Sequence, residues 1–217
     1  MTVRRCSGVV LAGGANARFG GVAKGLLEVG GRRVVDRVFD ALRDVTDELL
    51  LITNDPSVRA GGDAVAVYGD VRQERGSLTG LHSALTRCAD AALVVAWDMP
   101  FLSSPLLMML RRAGEEEEAA AIPESTRGLE PLCAYYPRSC LEVVERQLAS
   151  GEMRLSAFVE ALPRRVIVGG DEIARFGAGA PDRLFINVNS AADLAAAQSL
   201  VHEHHADLGF VSHSRSQ

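Results

Sequence analysis

The chain has 217 residues, 23 basic and 28 acidic side chains, and a formal net charge of −5. With 47% apolar and 24% charged residues it has the composition of a folded globular protein, which excludes a disordered one. The acidic balance argues against a nucleic-acid binder built on a broad basic surface, and no apolar run approaches the ~20 residues of a membrane span.

Residues 1–6 lead straight into Val9-Val10-Leu11-Ala12, a run too short for a signal peptide and followed by glycines in place of a cleavage site. Cytoplasm is the expected compartment. Short apolar runs then alternate with segments of helical period. The expected strands are 8–12, 49–52, 64–68, 93–96, 132–136 and 165–168, with weaker ones at 119–122 and 185–186. Several are continuous Val/Leu/Ile runs, the pattern of strands buried on both faces. Between them, Val34, Val38, Leu42 and Val45 form one apolar helix face, as do Leu78, Leu81, Leu85 and Cys88. Leu141, Val144 and Leu148 repeat the spacing, and so do Leu155, Phe158, Val159 and Leu162. A helix is expected to end at Arg111-Arg112, whose cations suit a helix C-terminus, with 115–118 as a solvated acidic turn. Residues 169–182 read as an exposed loop.

Alternating β and α elements imply a single three-layer αβα domain of Rossmann-like type around a mostly parallel sheet. It is expected to span residues 1–205, with 206–217 as a frayed tail. The four cysteines show no metal spacing and read as free, packed thiols. His202, His204 and His205 read as a solvated helix end, since no matching ligand set lies nearby in sequence.

Composition singles out one segment. Of the 23 basic residues 22 are Arg, and the lone lysine, Lys24, sits in a glycine-rich stretch after the first strand. Eight of the 21 glycines fall within the first 31 residues. Glycines at a strand's carboxyl end let backbone N–H groups approach phosphate oxygens. Residues 1–37 carry seven basic and two acidic groups, so Arg18 and Lys24 lie in a locally positive segment. Neither GxGxxG nor GxxxxGK[ST] fits this stretch. A lysine retained where arginine is otherwise used indicates a need for a compact ammonium.

The stretch Leu11-Ala12-Gly13-Gly14-Ala15-Asn16-Ala17-Arg18-Phe19-Gly20-Gly21-Val22-Ala23-Lys24 resembles the LAGGxxxRxGxxK signature of nucleotidyltransferases with the nucleotide-diphospho-sugar-transferase fold. Further motifs follow in the family's order: Asp70 with Gly76-Ser77-Leu78-Thr79-Gly80, Asp98-Met99-Pro100, Pro131-Leu132-Cys133-Ala134-Tyr135-Tyr136, Gly151-Glu152-Met153-Arg154 and Asn187-Val188-Asn189. Together they look most like the molybdenum cofactor guanylyltransferase branch.

That resemblance implies transfer of GMP from GTP to the terminal phosphate of molybdenum-molybdopterin, with release of pyrophosphate. It implies Mg²⁺ on Asp98, and catalysis by Arg18, Lys24 and Asp98. GTP would be bound by Leu11, Ala12, Gly13, Gly14, Lys24, Ile52, Asn54, Asp70 and Asp98, and molybdopterin by Asn187 and Asn189. Exchange with molybdenum-enzyme chaperones is expected from the family alone.

The residues themselves leave some roles open. A carboxylate at Asp70 suits either guanine N1–H and N2–H₂ or a ribose hydroxyl. Asn54 suits base recognition or a turn with Asp55-Pro56, and Ile52 could act only through its backbone. Asn189 could contact substrate or cap the helix beginning near Ser190. Trp97, bulky where relatives are small, packs under the loop or stacks on a substrate ring. The rival readings are a cytidylyltransferase using CTP, where aspartates tend to replace the Asn-x-Asn pair, and a nucleotide sensor without turnover.

Overall fold

The computed structural model describes residues 4–13, 18–19, 22–55, 57–58, 60–175 and 181–203; at 18–19, 22, 181 and 202–203 it describes the backbone alone. The first third of the chain holds β1 (Cys6–Leu11), β2 (Arg18–Phe19), β3 (Val22–Ala23), β4 (Glu28–Val29), β5 (Arg32–Arg33), α1 (Val34–Arg43), β6 (Glu48–Ile52) and β7 (Val65–Tyr68). Then come α2 (Ser77–Arg87), β8 (Ala91–Ala96), α3 (Ser104–Glu117), β9 (Ala120–Ser125), β10 (Gly128–Leu129) and β11 (Cys133–Pro137). The last are α4 (Leu141–Ala149), α5 (Leu155–Ala161), β12 (Arg165–Val168), α6 (Gly170–Ile173) and α7 (Ala191–Glu203).

The main sheet runs β10-β9-β11-β8-β1-β6-β7, with β12 paired to β9. β1 pairs in parallel with both β6 and β8, and β6 in parallel with β7. Leu11 lies level with Ile52 and Ala96, and Ile52 level with Tyr68, so these four strands release the chain along one edge. β11 runs antiparallel to β8 and therefore starts at that same edge.

Side chains alternate between two apolar layers, as the two-residue period of a strand requires. Val10, Leu51, Leu93 and Val95 pack with Val38, Phe39 and Leu42 of α1 and Leu106, Leu107 and Leu110 of α3. Val9, Leu11, Leu50 and Val94 pack on the other face with Leu78, Leu81 and Leu85 of α2, Val144 and Leu148 of α4, and Phe158 of α5. The fold is thus the expected αβα sandwich. A third, small cluster joins Val29, Val34, Phe101, Val188, Ala197 and Val201. It docks α7 on the β4–β5 hairpin, whose two-residue turn places Gly30 and Gly31 at φ 59° and 73°, the left-handed pair that such a hairpin favours.

Three expectations are corrected. The helix expected to end at Arg111-Arg112 runs on to Glu117, so most of the acidic run is helical. Arg111 does not cap it: its guanidinium donates to Glu115 one turn on (2.8 Å) and to the Val45 carbonyl (2.9 Å). Residues 185–186 are not a strand. Pro181–Phe185 form a 3₁₀ turn, because Phe185 is buried in the α1/α3 layer and its carbonyl is taken by Arg127 (2.5 Å) and Asn187 (3.3 Å). Within 169–182, Gly170–Ile173 form a helical turn with Ile173 buried, while 176–180 lie outside the described residues. Residues 206–217, expected as a tail, also lie outside them, as do His204 and His205. All four cysteines are free and buried. Burial pushes the Cys88 thiol up to about 11 and those of Cys6 and Cys140 to about 12, so they are inert packing groups.

Candidate active site

A cavity of about 850 Å³ opens along the edge where the parallel strands end, the place where open α/β sheets bind ligands. Its lining includes Leu11 at the end of β1 with Ala12, Gly13 and Lys24 beyond it, Ile52 at the end of β6 with Asn54 after it, Asp70 after β7, and Asp98 after β8. Asn187 and Asn189 close one side. The structure therefore gathers these ten sequence-predicted residues in one cleft. Gly14 lies outside the described residues, and for Arg18 only the backbone, paired with Ala23, is described.

Lys24 opens the 3₁₀ turn Lys24–Leu26 and is buried, 6% exposed. Its ammonium donates to Asn189 Oδ1 at 2.8 Å. The turn lies against Trp97: a Cβ on Gly25 would stand 2.5 Å from the indole ring, so only glycine fits. Trp97 is 3% exposed and belongs to the apolar layer, which makes packing under the loop its observed role.

Asp98 receives no side-chain donor among the described residues. Burial raises its pKa, its own backbone N–H opposes the rise, and the Lys24 charge opposes it more weakly. A desolvated carboxylate that lines the cleft with no cation bonded to it among the described residues suits a hard divalent cation. Mg²⁺ is commonly held by one or two carboxylates, waters and substrate phosphates, so a single aspartate fits. The Val188 N–H donates to the Asp98 carbonyl at 2.9 Å, tying the Asn187–Asn189 segment to the end of β8.

Asn54 and Asp70 are reciprocally bonded. Asn54 Nδ2 donates to Asp70 Oδ2 (2.7 Å), and the Asp70 backbone N–H donates to Asn54 Oδ1 (2.8 Å). The Asn54 amide thus holds Asp70 across the β6–β7 edge. The competitor at Asn189 resolves differently: Ser190 and Asp193 cap α7 through Ser190 N–H to Asp193 (2.8 Å) and Asp193 N–H to Ser190 Oγ (3.2 Å). Asp193 also accepts the Asn189 N–H at 3.0 Å, leaving the Asn189 side chain to Lys24.

Sequence reasoning missed Thr53, Arg75, Glu130 and Leu155, and quoted Ser77 only within the Gly76–Gly80 motif; all five line the cavity. Two carried a usable signal: Arg75 immediately precedes the Gly76–Gly80 turn, and Glu130 precedes Pro131-Leu132. Glu130 is held by Ser125 Oγ at 2.8 Å and by Arg127 at 3.2 Å.

Residues 8–166 match the family model described as MobA-like NTP transferase domain. A molybdenum cofactor guanylyltransferase of Desulfosudis oleivorans is 36% identical over 197 residues, covering 90% of this chain and 95% of that protein. Another from Cereibacter sphaeroides is 34% identical over 204 residues, 91% and 97% of the two chains. Among solved structures, molybdopterin-guanine dinucleotide biosynthesis protein A from Archaeoglobus fulgidus superposes with a TM-score of 0.76 at 25% identity, over 91% of this chain and 99% of that one. A 2-C-methyl-D-erythritol 4-phosphate cytidylyltransferase from Thermus thermophilus, 17% identical with a TM-score of 0.64 over 89% and 98% of the two chains, shares the fold. With a match that spans the site-bearing strands and relatives above 30% identity along nearly their whole length, this chain belongs to the MobA-like NTP transferase domain family.

Proposed function

We propose that the chain transfers GMP from GTP to the terminal phosphate of molybdenum-molybdopterin and releases pyrophosphate. One observation carries the reading: a buried lysine, a desolvated aspartate, a fixed carboxylate and an Asn-x-Asn pair share a single cleft. The names of the relatives set the choice of substrates.

The cleft divides by chemistry. On the β6–β7 side, the Asp70 carboxylate offers two acceptors that suit guanine N1–H and N2–H₂. Lys24 and the loop after β1 face the phosphates, with Arg18 as a further cation of that loop. Asn187 and Asn189 face the second substrate. A phosphate nucleophile is already ionised at neutral pH, so no general base is required. The chain's own work is to align the two substrates and to offset negative charge as pyrophosphate departs. Mg²⁺ held by Asp98 would add charge between the phosphates.

The test is pyrophosphate release with Mg²⁺ and molybdenum-molybdopterin, supplied with GTP or CTP in turn. Release with GTP supports the reading. Release with CTP alone would make the chain a cytidylyltransferase, and GTP binding without release would make it a sensor.

A further inference from the structure

Outside the cavity lining, one buried polar side chain grips the base-reading carboxylate from behind. Ser83, on the second turn of α2, is fully buried. Its hydroxyl stands 3.2 Å from Asp70 Oδ1 and 2.9 Å from the Thr79 carbonyl, and accepts the Val71 N–H at 2.9 Å. A hydroxyl has one proton, and the carboxylate is the stronger of its two acceptors. Asp70 is therefore clamped on three sides: Ser83 at Oδ1, Asn54 at Oδ2 (2.7 Å), and Asn54 again at the backbone N–H (2.8 Å). Ser83 also fixes the next peptide through Val71, so the carboxylate cannot rotate without breaking one of these bonds.

We propose that Ser83 is a positioning residue that determines base choice, by locking the Asp70 carboxylate so that both oxygens present remaining lone pairs to the cavity. This rests on the reading of Asp70 as the guanine contact. Two acceptors held side by side complement the parallel donors of guanine, N1–H and N2–H₂. Cytosine sets its N3 and O2 acceptors beside a single amino donor, so a locked carboxylate repels it. A carboxylate free to turn would present one oxygen and discriminate less, because selectivity of this kind comes from buried polar groups left unpaired by the wrong ligand.

The experiment is steady-state kinetics of Ser83→Ala with GTP and with inosine triphosphate, which lacks only the 2-amino group. The expected result is a roughly tenfold rise in KM for GTP, kcat within about twofold, and a narrower GTP-over-inosine ratio of kcat/KM. Thr79→Val is the control. The Thr79 hydroxyl, one turn earlier, is buried without a partner among the described residues, so its removal leaves all three quantities at wild-type values. Wild-type KM and ratio in Ser83→Ala, or a fall in kcat at constant KM, would overturn the proposal. Should Ser83→Ala not fold, Ser83→Cys keeps a small side chain with a weaker donor; the same shift in KM and ratio supports the proposal, and wild-type values overturn it. Asp70→Ala separates the two layers. An unchanged KM for GTP in that variant sinks the guanine contact and Ser83 with it. A raised KM there, with Ser83→Ala silent, sinks Ser83 alone.

Discussion

Lys24 shows how much one residue's chemistry can say before any coordinates. It is the one lysine among 23 basic residues, and the fold buries it at the cleft with its ammonium on Asn189. A guanidinium is a longer, planar fork and would not put its charge where the compact ammonium meets Asn189. Lys24→Arg keeps the charge but moves it, and is expected to lower kcat by about a hundredfold, the scale for a misplaced catalytic group; unchanged turnover would show that a compact ammonium is not required. Asp98 carries the opposite balance, since its burial works against its charge. Asp98→Asn should lose about a hundredfold or more in turnover yet melt no lower than wild type, because the amide is easier to bury. A clear fall in Tm would contradict that account. Lys24, Asp98 and Asp70 were legible because each follows a recognisable strand or motif. Ser83 was not: its hydroxyl faces Asp70 only after α2 docks on the sheet, and nothing local marks that serine among others.

At the scale of elements, two helices carry predictions. Gly114 lies within α3, where alanine would add about 1 kcal/mol of helix propensity. A Cβ there would overlap the buried Tyr135 ring, and overpacking costs about 1–3 kcal/mol, so the clash wins. Gly114→Ala should lower the urea midpoint; a rise would mean the ring yields freely. In α2, His82 is buried with Nδ1 unpartnered among the described residues, its Nε2 3.8 Å from Glu145 of α4 and near the Arg72 and Glu74 charges. Burial lowers its pKa from 6.5, and the Glu145 charge opposes this. The unfolded chain therefore binds this proton more readily, and His82's share of stability falls as pH drops through about 6.5. Denaturant midpoints should decline between about pH 7.5 and 5.5, and His82→Gln should flatten that slope; an equal slope in both proteins would remove His82 as its source. The end of α3 was misjudged from sequence for a related reason. Arg111 reads as a terminal cation, but besides Glu115 one turn on it bonds the Val45 carbonyl, 66 residues away.

Over the whole molecule, the alternation of apolar runs and helical periods was enough to read a layered αβα fold with a mostly parallel sheet. Strand direction was less accessible. β11 runs antiparallel to β8, although a buried run such as Cys133–Pro137 looks alike in either direction. The cleft follows from topology, since β1, β6, β7 and β8 all end at one edge and β11 begins there. Base choice is the part that local pattern left open, and the bonded trio Asn54, Asp70 and Ser83 is the arrangement on which the proposal for it rests. The most direct measurement supplies equimolar GTP and CTP, with Mg²⁺ and molybdenum-molybdopterin, to the intact protein and weighs the dinucleotide product by mass spectrometry. Guanylyl transfer gives the guanine dinucleotide in large excess, with pyrophosphate released in equal amount. A product carrying cytidine, or pyrophosphate without any dinucleotide, would contradict it.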